Sequence, residues 1–221
     1  MTVSRTVKYY DGDAITNEIS EDAKAEKQPE KGLLYKGTDT HGLLGKVKSV
    51  REEHECLKFD KSGNLVYQKN SFGKETTYKY LTPTSYNVSG WGDAVVNITI
   101  KNGLRSDTDS DTNTELNHEY TFDSSQRLIK HVFCSQMAMV TCTYQYKGKE
   151  KYPSTMIEEH PEEGVTTYHY TYTQFDEKSN WTERKVSYAT EYDDYDDDMN
   201  YIGKKQTLPT EYLEKRTIEY W

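Results

Sequence analysis

The residues best placed for chemistry are oxygen-bearing side chains that alternate along a short acidic stretch. The carboxylates among them are Asp107, Asp109, Asp111 and Glu115. Because a Ca²⁺ ion takes about six to eight oxygen ligands, a loop with this spacing could wrap around one cation. An EF-hand needs Gly at the sixth position of its loop and Glu at the twelfth, but Thr112 and His118 stand there. The stretch therefore predicts either a calcium loop of another type or an acidic hairpin loop exposed to water.

A second acidic run, at 193–198, carries five aspartates. Carboxylates packed this densely repel one another, so we expect an extended, hydrated and mobile loop between the last two strands unless a cation neutralises it. If both acidic loops lie at one edge of the fold, they form a negative rim that could face a basic partner.

Other reactive side chains add no candidate for catalysis. His54 and Cys56 would share one face of a strand, yet no second pair follows at the spacing of a zinc site. The chain has three cysteines, too few for a disulfide framework. The sequence also lacks the nucleophile-elbow, Walker and dinucleotide-binding glycine motifs. We therefore predict a protein without enzymatic activity and without a cofactor, calcium being the one ion that the pattern suggests.

Tyrosines at alternate positions form the other candidate site. Tyr168, Tyr170 and Tyr172 would project from one face of a strand, with Tyr144 as a neighbour on the same face. Tyrosine rings have flat apolar faces and a polar tip, which suits sugars and peptides. The same rings could instead fill the core, and we favour that interpretation because the chain has few other apolar residues. In a single-layer sheet the two interpretations merge, since one face stays partly open.

The segments that carry these residues are predicted to be β-strands. From Gly37 onward, apolar and polar residues alternate with a period of two, as in Val140, Cys142 and Tyr144. One packed and one wet face are typical of antiparallel sheets. The pattern predicts an all-β fold: an extended, twisted antiparallel meander of repeated hairpins, in a single layer or an open half-barrel. Residues 37–221 would form this domain, and 1–36 an N-terminal arm, linker or short helix beginning near Ser20.

Turn residues recur within a repeated motif of an aromatic residue, Asp, a polar turn and an apolar residue. Its three copies are Phe59–Leu65, Phe122–Leu128 and Phe175–Trp181. The Asp side chain can accept a backbone N–H two residues on and so close the turn. Each copy is expected to join two strands within a larger repeat unit.

The Phe-Asp-x-x-Gly-Asn-Leu unit at 59–65 resembles the YD-type repeat of the Rhs family. The stretch Gly42–Val50 is similar to the opening strand of repeat proteins common in Bacteroidetes, and Glu214–Trp221 resembles their closing strand. The resemblance implies a long antiparallel sheet of hairpins. It brings no catalytic residues with it.

Composition excludes several classes of protein. The 221 residues carry a formal charge of −9 and no basic stripe, so nucleic-acid binding is not expected. No apolar run is long enough to span a membrane, and the first residues do not have the pattern of a signal peptide. The sequence as given therefore predicts a cytoplasmic protein. A cell-envelope or secreted protein whose signal had been removed would read the same. The 20 tyrosines argue against disorder, because disordered segments are poor in aromatic residues.

Taken together, the sequence predicts a binding or scaffold module without catalytic activity. Its contact surface would be an open sheet face with the tyrosines named above, flanked by acidic rim loops, and its partner a protein or a carbohydrate. The alternative is a calcium-dependent or hydrolytic protein that acts on carbohydrates, with Asp176 and Glu183 facing a groove. A glycosidase needs two carboxylates about 5–9.5 Å apart on one such face. The sequence specifies no oligomeric state.

Overall fold

The computed structural model divides the chain into two compact units, Met1–Leu34 and Tyr35–Trp221. The residues it describes are 5–10, 14–19, 36–90, 94–109, 117–135 and 138–221. In the first unit, strands β1 (Arg5–Tyr10) and β2 (Ala14–Ile19) pair antiparallel. The short helix expected from Ser20 lies outside the described residues. No helix in the described ranges is long and apolar enough to cross a membrane.

The second unit is built on one open antiparallel sheet of 16 strands, as the alternating sequence predicts. A short helix, α1 (Gly37–Thr40), precedes it. The strands are β3 (Val47–Arg51), β4 (Cys56–Phe59), β5 (Leu65–Lys69), β6 (Glu75–Thr82), β7 (Ser85–Ser89), β8 (Ala94–Lys101), β9 (Leu104–Asp109), β10 (His118–Phe122), β11 (Leu128–Ser135), β12 (Ala138–Gln145), β13 (Thr155–His160), β14 (Gly164–Phe175), β15 (Trp181–Tyr195), β16 (Tyr201–Gln206), β17 (Thr210–Lys215) and β18 (Thr217–Tyr220). From β3 to β16, each strand pairs with the next in the chain, which is a meander.

One face of this sheet, which we call the inner face, carries most of the buried side chains. On β14 the even-numbered tyrosines are half-buried, whereas His169 and Thr171 between them are exposed. Directly paired residues of neighbouring strands point the same way. Val50 pairs with Leu57, Tyr86 with Val96, and Tyr168 with Tyr188. The predicted alternation of inner-face and exposed side chains is therefore confirmed, and it holds on strands in different parts of the sheet.

Among the described residues, two clusters of buried side chains form part of the core on the inner face. The first consists of Tyr86, Val88, Ala94 and Val96, with Tyr78, Tyr80 and Ile98 packed against it. The second consists of Leu43, Val47, Val50 and Phe59, with Leu57, Leu65, Ile218 and Tyr220 beside it. Tyrosine thus supplies part of the core in the first cluster, as the composition suggests.

The last two strands connect the two ends of the sheet. β17 pairs with β15, and β18, which follows after Arg216, pairs with β3. The hydrogen-bonded ladder stays open, because β17 and β18 are successive parts of one segment and each pairs on one side. The start and the end of the meander nevertheless lie side by side: the backbone N–H of Leu44 donates to Asn180 Oδ1 at 2.8 Å.

The predicted Asp turn is confirmed at all three copies of the motif. In each, the Asp Oδ1 accepts the backbone N–H groups two and four residues further on, and the residue three positions after the Asp has a positive φ. The three pairs are Asp60 with Gly63, Asp123 with Gln126, and Asp176 with Ser179.

The same turn occurs twice more, where the sequence pattern did not reveal it. Asn70 and Asp196 accept the equivalent N–H groups, and Gly73 and Met199 have the positive φ. The second of these turns corrects the interpretation of run 193–198 as a mobile loop. β15 continues to Tyr195, and the turn at Asp196 leads directly into β16.

Candidate functional site

The inner face carries a cavity of about 780 Å³, here called the inner cavity. It lies between the first strands of the sheet, β3 to β5, and the later strands β11, β12, β14 and β15. Residues from strands distant in sequence meet here because the two ends of the meander lie together. This volume falls within the range of about 300–1,000 Å³ that is usual for small-molecule pockets.

One part of the cavity wall is apolar. Leu43 and Val50 line it from the second core cluster, Leu57 from β4, and Leu128 from the start of β11. Leu43 is placed by α1, which the backbone N–H of Thr38 ties to the carbonyl of Gly63 at 3.0 Å. An apolar group on a ligand would gain free energy by displacing water from this wall.

Another part of the wall is formed by tyrosine rings whose hydroxyls are already engaged. Tyr146 donates to the carbonyl of Leu128 at 2.7 Å, and Tyr172 donates to the carbonyl of Pro153 at 2.9 Å. Tyr152 donates to the carbonyl of Ser179 at 2.9 Å. Burial raises the pKa of each of these phenols, that of Tyr152 to about 12, so they stay neutral. These bonds fix the rings, which present flat faces to the cavity.

Two arginines stand at one end of the cavity, stacked on Trp181 of β15. Arg184 lies 4.3 Å from the Trp181 ring and Arg216 3.7 Å from it. Arg184 pairs with Glu214 across the β15–β17 ladder, so its charge is matched. Arg216 uses its Nε–H to bind the carbonyl of Trp181 at 2.6 Å.

Arg216 is the less satisfied of the two. Its side chain is enclosed, with the residue 8% exposed, and its Nη2 is buried and makes no hydrogen bond to any residue that the structure describes. Burial lowers the pKa of the guanidinium to about 10, because water no longer stabilises the charge. The nearby carboxylate of Glu52 favours the charged form of Arg216, but in the described part of the chain no carboxylate lies within 4.0 Å of the Arg216 guanidinium.

Glu52 and Asp39 add two carboxyl groups to the cavity lining. Burial raises the pKa of both, and the neighbouring charge of Glu214 raises that of Glu52 further. Asp39 accepts a hydrogen bond from the backbone N–H of Lys36 at 2.8 Å, which caps α1.

The structure brings together the four tyrosines that the sequence singled out, and two of them line the cavity. Tyr144 and Tyr172 are lining residues. Tyr168 and Tyr170 continue the row on the same face, and the Tyr170 ring centroid lies 6.3 Å from that of Tyr172 and 6.5 Å from that of Tyr168. Arg184 covers the Tyr170 ring at 4.1 Å. The row is thus half-buried packing that ends at the cavity.

Two of the predicted metal ligands, Asp107 and Asp109, lie on β9 and are not part of the cavity lining. Both carboxylate oxygens of Asp107 are engaged: Arg105 donates to each at 2.6 Å, and the Tyr86 hydroxyl donates to Oδ2 at 2.9 Å. Asp109 is buried, and its backbone N–H donates to Asn117 Oδ1 at 2.7 Å.

Asp111 and Glu115 lie outside the described residues. Within the described ranges, no group of three or more His, Cys, Asp and Glu side chains is close enough to hold a metal ion. The calcium loop therefore stays a prediction.

Sequence reasoning missed Arg184, Arg216 and Trp181 as cavity residues. Arg184 did carry a signal, since it occupies an inner-face position in the apolar rhythm with Val186 and Tyr188. A charged residue at such a position needs a partner or a site. Arg216 gave no comparable signal, because it interrupts the alternation between β17 and β18.

No family model matches the chain, and neither does any curated protein. The resemblance to YD-type repeat proteins of the Rhs family therefore stays a prediction. The site has to be interpreted from its own geometry.

Proposed function

We propose that the protein is a non-enzymatic binding module that holds a small molecule in the inner cavity. The observation that supports this most is the cavity itself, about 780 Å³ in volume, between an apolar wall and a row of fixed tyrosine rings. Tyr144 and Tyr172 are the contact residues. Tyr168 and Tyr170 hold the row in place.

The chemistry of the lining favours binding over catalysis. The cavity tyrosines are neutral, and the hydroxyls of Tyr146, Tyr152 and Tyr172 donate to backbone carbonyls. Cys142, a potential nucleophile on the inner face, is held as a thiol: burial, with Glu158 beside it, raises its pKa to about 12. A thiol with such a pKa is a poor nucleophile at neutral pH.

The acidic rim has a smaller role than the sequence suggests. Glu191 pairs with Lys204 at 2.5 Å, and Asp194 pairs with Lys205 at 2.8 Å, both across the β15–β16 ladder. Pairing offsets part of the negative charge that a basic protein partner would need. We therefore assign binding to the cavity and not to the rim.

The carbohydrate-acting alternative ranks second, because its two carboxylates have other roles. Asp176 accepts the N–H groups of its turn and the hydroxyl of Tyr220. Glu183 pairs with Lys215 at 2.9 Å and accepts a hydrogen bond from the hydroxyl of Thr173 at 2.8 Å. All three residues have odd numbers and lie on the face of the sheet opposite the inner face. A carbohydrate that binds without being cleaved remains within the proposal.

A fragment screen by fluorine NMR tests the proposed function. Fragments should bind the wild-type protein, and Leu57→Trp, which fills the cavity from β4, should abolish most of that binding. Lys58→Trp is the matched control, since Lys58 is the next residue and is exposed on the other face. Circular dichroism would confirm that both variants fold. Absence of binding to the wild type, or equal binding to Leu57→Trp and Lys58→Trp, would contradict the proposal.

A further inference from the structure

We propose that the inner cavity selects organic anions, molecules with an apolar body and one oxyanion group, and that Arg216 binds the oxyanion. This inference rests on the proposed function and adds the chemical class of the ligand. The oxyanion is a carboxylate or a phosphate group, which share the charge and the acceptor oxygens that a guanidinium recognises.

The Arg216 guanidinium is buried and makes few hydrogen bonds to the described residues. A guanidinium has five N–H donors, and only the Nε–H of Arg216 has a partner among the described residues. Removing such a group from water without giving its donors acceptors is costly. Arg216 lines the cavity, so an oxyanion bound there would supply the opposite charge.

Among the described residues, no carboxylate lies within ion-pair distance of Arg216. Arg184, the neighbouring arginine, has Glu214 as its partner. Arg127, on the far side of the cavity, has Asp123 at 2.8 Å. Arg216 has Glu52 in its surroundings but no ion pair within 4.0 Å in the described part of the chain. Of these three cavity arginines, Arg216 is the one whose charge is left for a ligand.

The contacts around Arg216 fix the position of its guanidinium. Arg216 is held against Trp181 by its Nε bond and by the ring face, so its direction is fixed before a ligand arrives. Preorganisation of this kind lowers the entropy that binding must overcome. The apolar wall of Leu43, Val50, Leu57 and Leu128 lies in the same cavity. One charged end and an apolar wall together fit an anion with an apolar body.

The test measures binding of three matched probes by calorimetry: benzoate, phenyl phosphate and the neutral benzamide. We expect both anions to bind the wild type at least about tenfold more tightly than benzamide, as a charge-assisted hydrogen bond allows. The ratio of the two anions identifies the preferred oxyanion. Inorganic phosphate should bind more weakly than phenyl phosphate, because it lacks the apolar body.

Three variants assign the preference to Arg216. Arg216→Gln should lower the affinity for benzoate and for phenyl phosphate to about the affinity for benzamide. Arg51→Gln removes the same charge from an exposed position on β3 and should keep the anion preference. Glu52→Gln should strengthen anion binding several-fold, since it removes a negative charge near Arg216. This last variant keeps the test valid if Arg216→Gln does not fold.

The outcomes separate the two proposals. If benzamide binds the wild type as tightly as benzoate, or if the anion preference survives in Arg216→Gln, the inference is overturned while the proposed function stands. The same holds if Glu52→Gln leaves anion affinity unchanged. If none of the probes and no fragment binds, both fail.

Discussion

At the level of single residues, Asn180 ties three separate parts of the chain together. Its side chain is fully buried. Its Oδ1 accepts the backbone N–H of Leu44, and its Nδ2 donates to the carbonyl of Leu44 at 2.9 Å and to the Tyr220 hydroxyl at 2.7 Å. Asn180 also belongs to the third Asp turn, through its own N–H on Asp176. One residue thus joins a turn, the segment before β3 and the last strand.

We expect Asn180→Ala to lower the free energy of unfolding by about 3 kcal/mol, because it leaves several buried polar partners unsatisfied. The measurement is urea unfolding. Asn200→Ala is the matched control: Asn200 holds the equivalent place in the turn at Asp196, but it is exposed, and among the described residues its side chain bonds to Asp196 alone. Asn200→Ala should lower the free energy of unfolding by less than about 1 kcal/mol. Equal losses in the two variants would show that Asn180 has no special role.

A second residue-scale feature is a histidine pair on the inner face. His118 Nδ1 and His131 Nε2 are 3.0 Å apart, so one ring must donate to the other and at least one is neutral. Tyr120 stacks on His131 at 4.5 Å, and Cys142 lies opposite it on β12. Burial lowers the pKa of both histidines, that of His131 to about 3, and the charge of His118 lowers the pKa of His131 further.

This pair predicts a loss of stability at mildly acidic pH. A histidine takes up its proton near pH 6.5 in the unfolded chain but only near pH 3 at His131 in the folded protein. The unfolded state therefore gains protons first as the pH falls through this window. Between pH 7 and pH 5, His131 alone should lower the free energy of unfolding by about 2 kcal/mol. Denaturant unfolding across this range measures it.

His131→Phe should flatten that pH dependence, since it removes the titrating group and keeps the stacked ring. His169→Phe makes the same change at an exposed position on β14 and should keep the wild-type slope. If the two variants have the same slope, the histidine pair is not the source of the pH dependence.

At the level of elements, the Asp turns set the hairpins and one of them also places α1. Gly63 and Gly73 occupy the same position in two turns, with φ of 87° and 80°. A Cβ at Gly63 would meet Thr38 Oγ1 of α1 at 2.8 Å, whereas a Cβ at Gly73 would meet nothing within 4 Å. A comparison of alanine substitutions at the two glycines therefore distinguishes the cost of backbone strain from the cost of a close contact with α1.

Gly73→Ala should cost about 1 kcal/mol, the penalty of a side chain in the left-handed region. Gly63→Ala should cost about 1 kcal/mol more, because the new Cβ also pushes against the helix that carries the cavity wall. Thermal unfolding of the two variants gives the difference directly. Equal destabilisation would mean that the contact between the turn and α1 contributes nothing.

Much at this scale could be predicted from sequence, and what could not has a physical reason. The Asp turns were recognisable at Asp60, Asp123 and Asp176, because an Asp followed by polar turn residues acts locally. The turn at Asp196 was hidden within an acidic run whose composition suggested hydration. The role of Arg216 depends on where β17 and β18 pair, which no local pattern encodes.

At the level of the whole molecule, the C-terminal segment decides how the two ends of the sheet meet. β18 pairs with β3, and Ile218 on its inner face packs against the second core cluster. The sequence predicted the meander, since neighbouring strands follow from hairpin turns. It did not predict this pairing, because Ile218 and Val50 are 168 residues apart and either strand alone shows only alternation.

We expect Ile218→Asp to release β18 and to reduce amide hydrogen-exchange protection in β3 at least about tenfold, because a carboxylate cannot be buried there without a partner. Thr217→Asp introduces the same residue at the adjacent exposed position and should leave β3 protected. Unchanged protection of β3 in Ile218→Asp would mean that β18 does not hold the two ends together.

The most direct test of the central claim is whether one bound molecule contacts both sides of the inner cavity. Leu57 on β4 and Leu128 on β11 line the same cavity from strands far apart in the meander. With methyl-labelled protein and bound benzoate, we predict intermolecular nuclear Overhauser effects from the probe to the methyl groups of both leucines. Contacts to one leucine only, or to methyl groups of the exposed face, would contradict a ligand cavity lined by both early and later strands of the meander.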